Sequence, residues 1–217
     1  MSEIESQDSS ATIAPIVGIA TEGIAHFKAF ITMLISSLLS LSASLVLSID
    51  AIALAKNVNA PLSCNLNAVV SCGKVGISWQ SNLLGFPNAF LGLICEPVVI
   101  TVALAGLGRV RFPKWFMRTA LAVYFAGLLF AFWLFSQSYF VIKAFCPWCL
   151  LVTVSTVTVF FSMLRINLLE NTFNLSEKIY EKFSGWLYGG RDAVVVTFIY
   201  MVLALAVIVK YGKYFLP

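Results

Sequence analysis

Residues 146–165 read CPWCLLVTVSTVTVFFSMLR, two cysteines three positions apart followed by a run of apolar and hydroxyl side chains. A run of about 20 predominantly apolar residues is long enough to cross the hydrocarbon core of a membrane as an α-helix. Pro147 fits the first turn of such a helix, because the N–H that proline lacks has no partner inside the helix there. The stretch therefore predicts a membrane-spanning helix whose first turn carries Cys146 and Cys149.

The rest of the chain has the same apolar character. Of its 217 residues, 60% are hydrophobic and 11% are charged, and the mean hydropathy is +0.92. An ordinary soluble domain has about 25% charged residues. The chain is therefore predicted to be an all-α integral membrane protein, because helices satisfy their own backbone groups in lipid. Spans of the required length are predicted at about 28–49, 84–107, 115–137, 144–165 and 192–210.

These spans define one membrane domain, predicted at 28–210. A flexible cytoplasmic tail is expected at 1–27, which lacks the basic start and short apolar core of a cleavable signal peptide, and a short outer tail at 211–217. The connection at about 170–190 has the pattern of an amphipathic helix on the inner surface. We expect no separate soluble catalytic domain.

The basic residues predict the orientation. With a cytoplasmic amino terminus, most Lys and Arg residues fall on the inner side, as the positive-inside rule requires. We therefore predict a multi-pass protein of the cytoplasmic (inner) membrane, with both cysteine pairs facing outside. The inner residues are Lys28, Arg109, Arg111, Lys114, Arg118, Arg165, Lys178, Lys182 and Arg191, and the outer ones are Lys56, Lys74, Lys143, Lys210 and Lys213.

A second pair of cysteines, Cys64 and Cys72, lies in the predicted outer loop at about 50–83. A disulfide between them would persist outside the cytoplasm, and taken alone it serves equally well as a structural brace or as a redox pair. Cys146 and Cys149 favour the redox interpretation, because a ring closed within one helical turn constrains little. The positive end of the helix dipole also favours a thiolate there.

Zinc is the competing explanation, since four thiolates can form a tetrahedral site. The only histidine, His26, lies on the opposite side in the predicted topology. We therefore expect no metal, and metal analysis of the purified protein tests this.

Two acidic residues and two threonines also need an interpretation. Glu96 lies well inside the second span, where an ionisable group is expensive, so we expect it to be protonated or to face a wet crevice; a part in proton handling fails if Glu96→Gln keeps full turnover. Asp50 is interpreted as a solvated charge at a helix end. Thr153 and Thr156 are expected to bond back to their own helix. Cys95 is interpreted as a small core residue.

Several motifs, taken in order, resemble the vitamin K epoxide reductase family, and more narrowly its bacterial members that oxidise disulfide-forming partners. The similarity covers about residues 30–165. The residues that carry it are Cys64, Cys72, Val75, Ser78, the stretch Leu84-Gly85-Phe86-Pro87-Asn88, Gly92, and Cys146-Pro-Trp-Cys149.

The resemblance implies a four-helix bundle around a quinone pocket plus a fifth transmembrane helix. Cys149 would face a quinone of the menaquinone or ubiquinone type, Cys146 would exchange with Cys72, and Cys64 would meet the partner's thiols. The resemblance also assigns quinone binding to Ser78 and Asn88.

The implied activity is that of a quinone-dependent thiol oxidase with a thioredoxin-like (DsbA-like) extracytoplasmic partner, and we expect no nucleic acid. Because the chain stops at Pro217, we expect this partner to be a separate protein. The chain has Thr153 where animal members carry tyrosine, a departure that argues against the same headgroup contact and against activity on vitamin K epoxide. The alternatives are a vitamin K epoxide or quinone reductase running in the reductive direction and a non-catalytic membrane scaffold with structural disulfides.

Overall fold

The computed structural model of the protein describes residues 2–62, 64, 65 and 69–212, with side chains from Gly23 onward. Over these residues the chain is almost entirely helical, and two short irregular helical turns occupy Trp79–Asn82 and Ser138–Ile142. The α-helices are α1 (Ser2–Lys56), α2 (Cys72–Gly76), α3 (Ala89–Leu107), α4 (Lys114–Gln137), α5 (Pro147–Leu169), α6 (Glu177–Tyr188) and α7 (Arg191–Tyr211).

Five of these helices are long and apolar enough to cross a membrane, which confirms the predicted integral membrane class and the number of spans. They comprise α1 from Gly23, α3, α4 with its extension to Ile142, α5 and α7. Most of the predicted tail at 1–27, and residues 213–217 of the predicted outer tail, lie outside the residues described with side chains. The predicted domain bounds therefore remain predictions.

Several span boundaries differ from the sequence prediction by four to seven residues, and two of these differences have a clear cause in the sequence. Helix α1 continues to Lys56 instead of ending near residue 49, because the intervening alanine, isoleucine and leucine residues are good or acceptable helix formers. Helix α3 begins at Ala89 instead of residue 84. Gly85 has a positive φ of 82°, and Pro87 disfavours helical geometry in the residue before it.

The core is a bundle of α1, α3, α4 and α5. Helix α1 packs between α3 and α5, and α4 packs on α5. The close approach of α1 and α3 depends on small residues: a Cβ at Gly92 would lie 2.0 Å from Ser44 Oγ. Five serines of α1 are buried, namely Ser36, Ser37, Ser40, Ser44 and Ser48.

Helix α7 packs on α5 outside this bundle. The hydroxyl of Tyr200 donates to the carbonyl oxygen of Val154 at 3.2 Å. Near the other end of α5, Arg165 forms an ion pair with Asp192 at 2.6 Å. These contacts confirm the predicted arrangement of four bundled helices with a fifth alongside.

The end of the bundle away from the cysteines is closed by basic side chains of α4. Lys114 Nζ donates to the carbonyl oxygen of Asn171 at 3.1 Å, and Arg118 Nε donates to that of Thr172 at 2.6 Å. Helix α6, which follows α5 in the chain, confirms that the predicted amphipathic segment is helical. Its Leu187 is buried, whereas its Ile179 remains 46% exposed.

Candidate redox site at the cysteine end of the bundle

The membrane pair, Cys146 and Cys149, is built by the start of α5. Cys146 is the N-cap residue with extended backbone, and Pro147 follows at the first helical position. The Sγ of Cys146 accepts the backbone N–H of Cys149 at 3.2 Å. Both cysteines are free thiols. A sulfur that accepts a backbone N–H at a helix amino terminus is well placed to carry negative charge.

The loop pair, Cys64 and Cys72, forms a disulfide whose Cα atoms lie 5.7 Å apart. Cys72 begins the short helix α2, whose N-cap Ser71 accepts the backbone N–H of Lys74 at 3.1 Å. The side chain of Asn65 holds the two halves of the loop together, since its Oδ1 accepts from Ser71 Oγ and from the Gly73 N–H, each at 2.9 Å. The pair is thus fixed by side-chain hydrogen bonds on a short connection.

Hydrogen bonds between main-chain atoms bring the two pairs together. Val70 and Phe145 form a parallel β-bridge, in which the Ser71 N–H donates to the Phe145 carbonyl oxygen at 3.0 Å. The Phe145 N–H donates to the Val69 carbonyl oxygen at 2.7 Å. Cys72 lies two residues after Val70, and Cys146 directly follows Phe145. The bridge therefore sets the position of Cys72 relative to Cys146.

The consequence is direct contact between sulfurs of the two pairs. Cys146 Sγ lies 3.5 Å from Cys72 Sγ, and Cys64, Cys72 and Cys146 are all buried. Thiol–disulfide exchange requires attack of one sulfur on another. The arrangement can exchange a disulfide between the pairs, with Cys72 and Cys146 as the sulfurs that bond.

Asp50 lies beside the loop pair, which the sequence analysis did not predict. Because α1 continues past it to Lys56, this residue is not at a helix end, and its Oδ2 lies 3.7 Å from Cys64 Sγ. The carboxylate oxygen and the sulfurs of Cys64 and Cys72 all lie within 4.8 Å of one another. While the two cysteines are joined in a disulfide, they do not offer the thiolates that a zinc site requires.

A cavity of about 580 Å³ extends from the cysteine end into the bundle. Helices α1, α3, α4 and α5 all contribute to its mostly apolar wall, and Cys149 reaches it from the first turn of α5. Pockets of a few hundred Å³ with an apolar wall and few polar groups are typical of small-molecule sites. The polar and ionisable residues of the wall include Ser81, Asn88, Glu96, Tyr124 and Thr153.

The two residues assigned to quinone binding lie in different environments. Asn88 lines the cavity; its Nδ2 donates to the carbonyl oxygen of Gln80 at 2.7 Å, and its Oδ1 is buried without a partner. Ser78 is not among the lining residues, and its hydroxyl donates to the carbonyl oxygen of Val75 at 2.6 Å. Ser81 lies in the wall instead. The structure thus places Asn88 in the cavity wall and Ser78 outside it, and quinone binding by either residue stays a prediction.

The hydroxyls of α5 bond within their own helix, as predicted. Thr153 Oγ1 donates to the carbonyl oxygen of Cys149 at 2.9 Å, and Thr156 Oγ1 donates to that of Val152 at 2.8 Å. Their hydrogens are therefore already used, although both residues line the cavity.

A cluster deeper in the bundle surrounds Glu96, which is only 4% exposed. Ser40 Oγ and Tyr124 Oη donate to its Oε1 at 2.7 and 2.8 Å, while Oε2 is buried without a partner. Glu96 was expected to matter from its depth in the span, but neither of its donors was predicted. Tyr124 could have been noticed in the sequence, because it lies near the middle of a span, whereas tyrosines of membrane proteins are enriched at the two interfaces.

These features fit a quinone. The cavity offers an apolar chamber in contact with a reactive thiol, and the unpartnered atoms Asn88 Oδ1 and Glu96 Oε2 are of the kind that carbonyl and hydroxyl groups of a ligand satisfy.

Comparison with known proteins agrees with this site. The model of the vitamin K epoxide reductase family matches residues 31–164, which include both cysteine pairs and most of the cavity wall. No curated protein matches the chain. Since the family model covers more than half of the sequence, the chain belongs to the vitamin K epoxide reductase family.

Proposed function

We propose that the protein is a quinone-dependent thiol oxidase that re-oxidises a separate thioredoxin-like protein outside the cytoplasm. Family membership implies a membrane oxidoreductase that acts on thiols, disulfides and quinones. The observation that carries the more specific proposal is the 3.5 Å separation of Cys72 Sγ and Cys146 Sγ. It gives electrons a route from the loop pair to a helix that borders the cavity.

The first step takes place at the loop pair. A dithiol of the partner reduces the Cys64–Cys72 disulfide by two successive exchanges, with Cys64 as the sulfur attacked, so that the partner gains a disulfide and the loop pair gains two thiols. Because Cys64 is only 6% exposed, the loop must shift for this attack. The nearby carboxylate of Asp50 disfavours negative charge on Cys64.

The second step passes the same two electrons to the membrane pair. The Cys72 thiolate attacks Cys146 in a Cys146–Cys149 disulfide, and Cys149 leaves as a thiolate. Cys64 then attacks Cys72 and releases Cys146, whose negative charge is favoured by the Cys149 N–H that it accepts. The products are a loop disulfide and a reduced membrane pair, the arrangement seen in this structure.

The third step restores the membrane disulfide. A quinone in the cavity takes up two electrons and two protons and leaves as a quinol. On the protein side, Cys149 lies in the cavity wall and is the thiol that gives up the electrons, and Cys146 then closes the disulfide with it. The apolar wall keeps water from these thiols and admits a ligand from the lipid.

The proposed location follows from the same chemistry. We place the protein in the cytoplasmic membrane, with its amino terminus inside and both cysteine pairs outside. Disulfides persist in that compartment, and the basic residues that close the other end of the bundle fit the cytoplasmic side.

Reconstitution tests the proposal. The protein in liposomes containing menaquinone or ubiquinone is mixed with a reduced thioredoxin-like protein, and quinone absorbance and partner thiols are followed together. For an oxidase, one quinone is reduced to quinol for each partner dithiol that is oxidised. A scaffold with structural disulfides produces no quinol, and a reductase oxidises quinol while it reduces the partner; either result contradicts the proposal. A Cys95→Ser background leaves only the four paired cysteines.

A further inference from the structure

The Glu96 cluster lies at a different depth from the cysteines. Asn88 precedes the first residue of α3, at the cysteine end, and Glu96 follows eight positions later, about 12 Å along the helix axis. Both residues belong to the wall of the same cavity. The cavity thus has polar groups at two depths, and apolar residues such as Leu91 lie between them.

Glu96 is predicted to be neutral in this position. Within the described part of the chain it forms no ion pair, and its two donors, Ser40 and Tyr124, are uncharged. An isolated carboxylate among apolar side chains at this depth is costly. The carboxylic acid form removes that cost.

The hydrogen bonds of Glu96 also indicate which oxygen carries the proton. Oε1 accepts from two hydroxyl groups, those of Ser40 and Tyr124, and therefore acts as the carbonyl oxygen of the acid. The proton is left on Oε2, which has no partner within the protein. A hydroxyl donor without an acceptor in a dry site is costly, and a ligand that supplies an acceptor removes the cost.

We propose that neutral Glu96 donates a hydrogen bond from Oε2 to a carbonyl oxygen of the quinone and forms the deep polar contact of its binding site. The proposal rests on the proposed function, since it takes the quinone as the ligand of the cavity. At the shallow depth the unpartnered atom is Asn88 Oδ1, an acceptor, which suits a hydroxyl group of the quinol. Thr153 and Thr156 of α5 also line the cavity, but their hydroxyls donate to the carbonyl oxygens of Cys149 and Val152.

Equilibrium binding tests this contact without any turnover. The full chain in lipid nanodiscs, with both cysteine pairs oxidised to disulfides so that no thiol can reduce the ligand, is titrated with menadione and with a short-chain ubiquinone, and binding is followed by tryptophan fluorescence. Glu96→Leu removes the donor and raises the Kd about fivefold to tenfold, the effect of one hydrogen bond. Glu96→Gln keeps a carbonyl for Ser40 and Tyr124 and an N–H for the ligand, so its Kd stays within about twofold of wild type.

Serine variants provide a matched pair on α1. Ser40→Ala removes one of the two donors to Oε1 and weakens quinone binding about twofold to threefold, because the acid is less firmly oriented. Ser42 is exposed and donates only to the carbonyl oxygen of Leu38. Ser42→Ala therefore leaves the Kd unchanged.

Infrared difference spectroscopy gives a second readout. The spectrum induced by quinone contains a shift of a carboxylic acid C=O band, and Glu96→Gln lacks that band while still binding quinone. The contact is overturned if wild type binds quinone and Glu96→Leu binds equally well, or if no acid band shifts. If wild type binds neither quinone, the proposed function itself fails. Should Glu96→Leu not fold, Glu96→Gln and the infrared band still decide the matter.

Discussion

The two cysteine pairs differ in what holds them. Cys146 and Cys149 lie on the first turn of a long helix, and one of them caps that helix with its sulfur. Cys64 and Cys72 lie on a loop and a five-residue helix, fixed by the amide of Asn65 and by a single β-bridge. Under the proposed function this difference corresponds to two roles: the membrane pair keeps its position beside the cavity, and the loop pair moves toward a partner.

The largest effect on activity is expected from a change in the membrane pair. Cys149→Ser removes the thiol that closes the membrane disulfide, so partner-driven quinone reduction falls to background. The remaining thiol of Cys146 is next to Cys72, so oxidation of this variant traps a Cys72–Cys146 disulfide. Mass spectrometry of non-reduced peptides detects it. If Cys146 is found joined to Cys64 instead, the proposed order of exchange is wrong.

The corresponding change in the loop pair has a more selective effect. Cys64→Ser abolishes oxidation of the thioredoxin-like partner, because the loop no longer offers a disulfide to attack. Quinone reduction by a small dithiol is partly retained, since such a molecule can reach Cys146 and Cys149 without the loop. Parallel assays with dithiothreitol and with the reduced partner measure the two activities. Equal loss of both would show that the loop pair is not the entry point.

Loosening the loop without touching sulfur has an intermediate effect. Asn65→Ala deletes the acceptor for Ser71 Oγ and for the Gly73 N–H, two hydrogen bonds that contribute about 0.5–1.5 kcal/mol each. We expect turnover with the partner to fall severalfold while the dithiol reaction is largely kept. Asn59→Ala, at another exposed asparagine of the same loop, is the matched control. An equal loss in both variants would assign the effect to the loop surface.

The smallest effect on activity is expected at Thr153, one helical turn after the membrane pair. Thr153→Val removes a hydroxyl that donates to the Cys149 carbonyl oxygen, and we expect turnover and quinone affinity to stay within about twofold of wild type. Quinone titrations and steady-state rates measure both. A loss of tenfold or more would show that this hydroxyl turns toward the ligand.

The sequence predicted those parts of the fold that depend on composition over a long window. The five spans follow from runs of apolar residues, and the start of α5 follows from proline and the dipole at a helix amino terminus. The late start of α3 at Ala89 was missed because Leu83, Leu84 and Phe86 extend the apolar run toward the amino terminus. The backbone demands of Gly85 and Pro87 decide that boundary, and an average over many residues hides them.

Contacts between distant helices were beyond a single sequence. Tyr124 meets Glu96 because α4 and α3 bring the two side chains to one depth, and Asp50 meets Cys64 because α1 continues for about two turns past the predicted end. Ser78 and Ser81 are equivalent by residue type. The short helical turn Trp79–Asn82 contains Ser81 but not Ser78, and only Ser81 lies in the cavity wall. No property of either residue alone predicts this difference.

The bridge between Val70 and Phe145 has a consequence for how freely this region can vary. Its hydrogen bonds join main-chain atoms only, so exchange of either side chain for another leaves both bonds available. Proline is the exception, because it deletes an N–H. Ser71 and Phe145 supply the two N–H donors, so proline at either position removes one bond of the bridge and loosens the hold on Cys72 and Cys146.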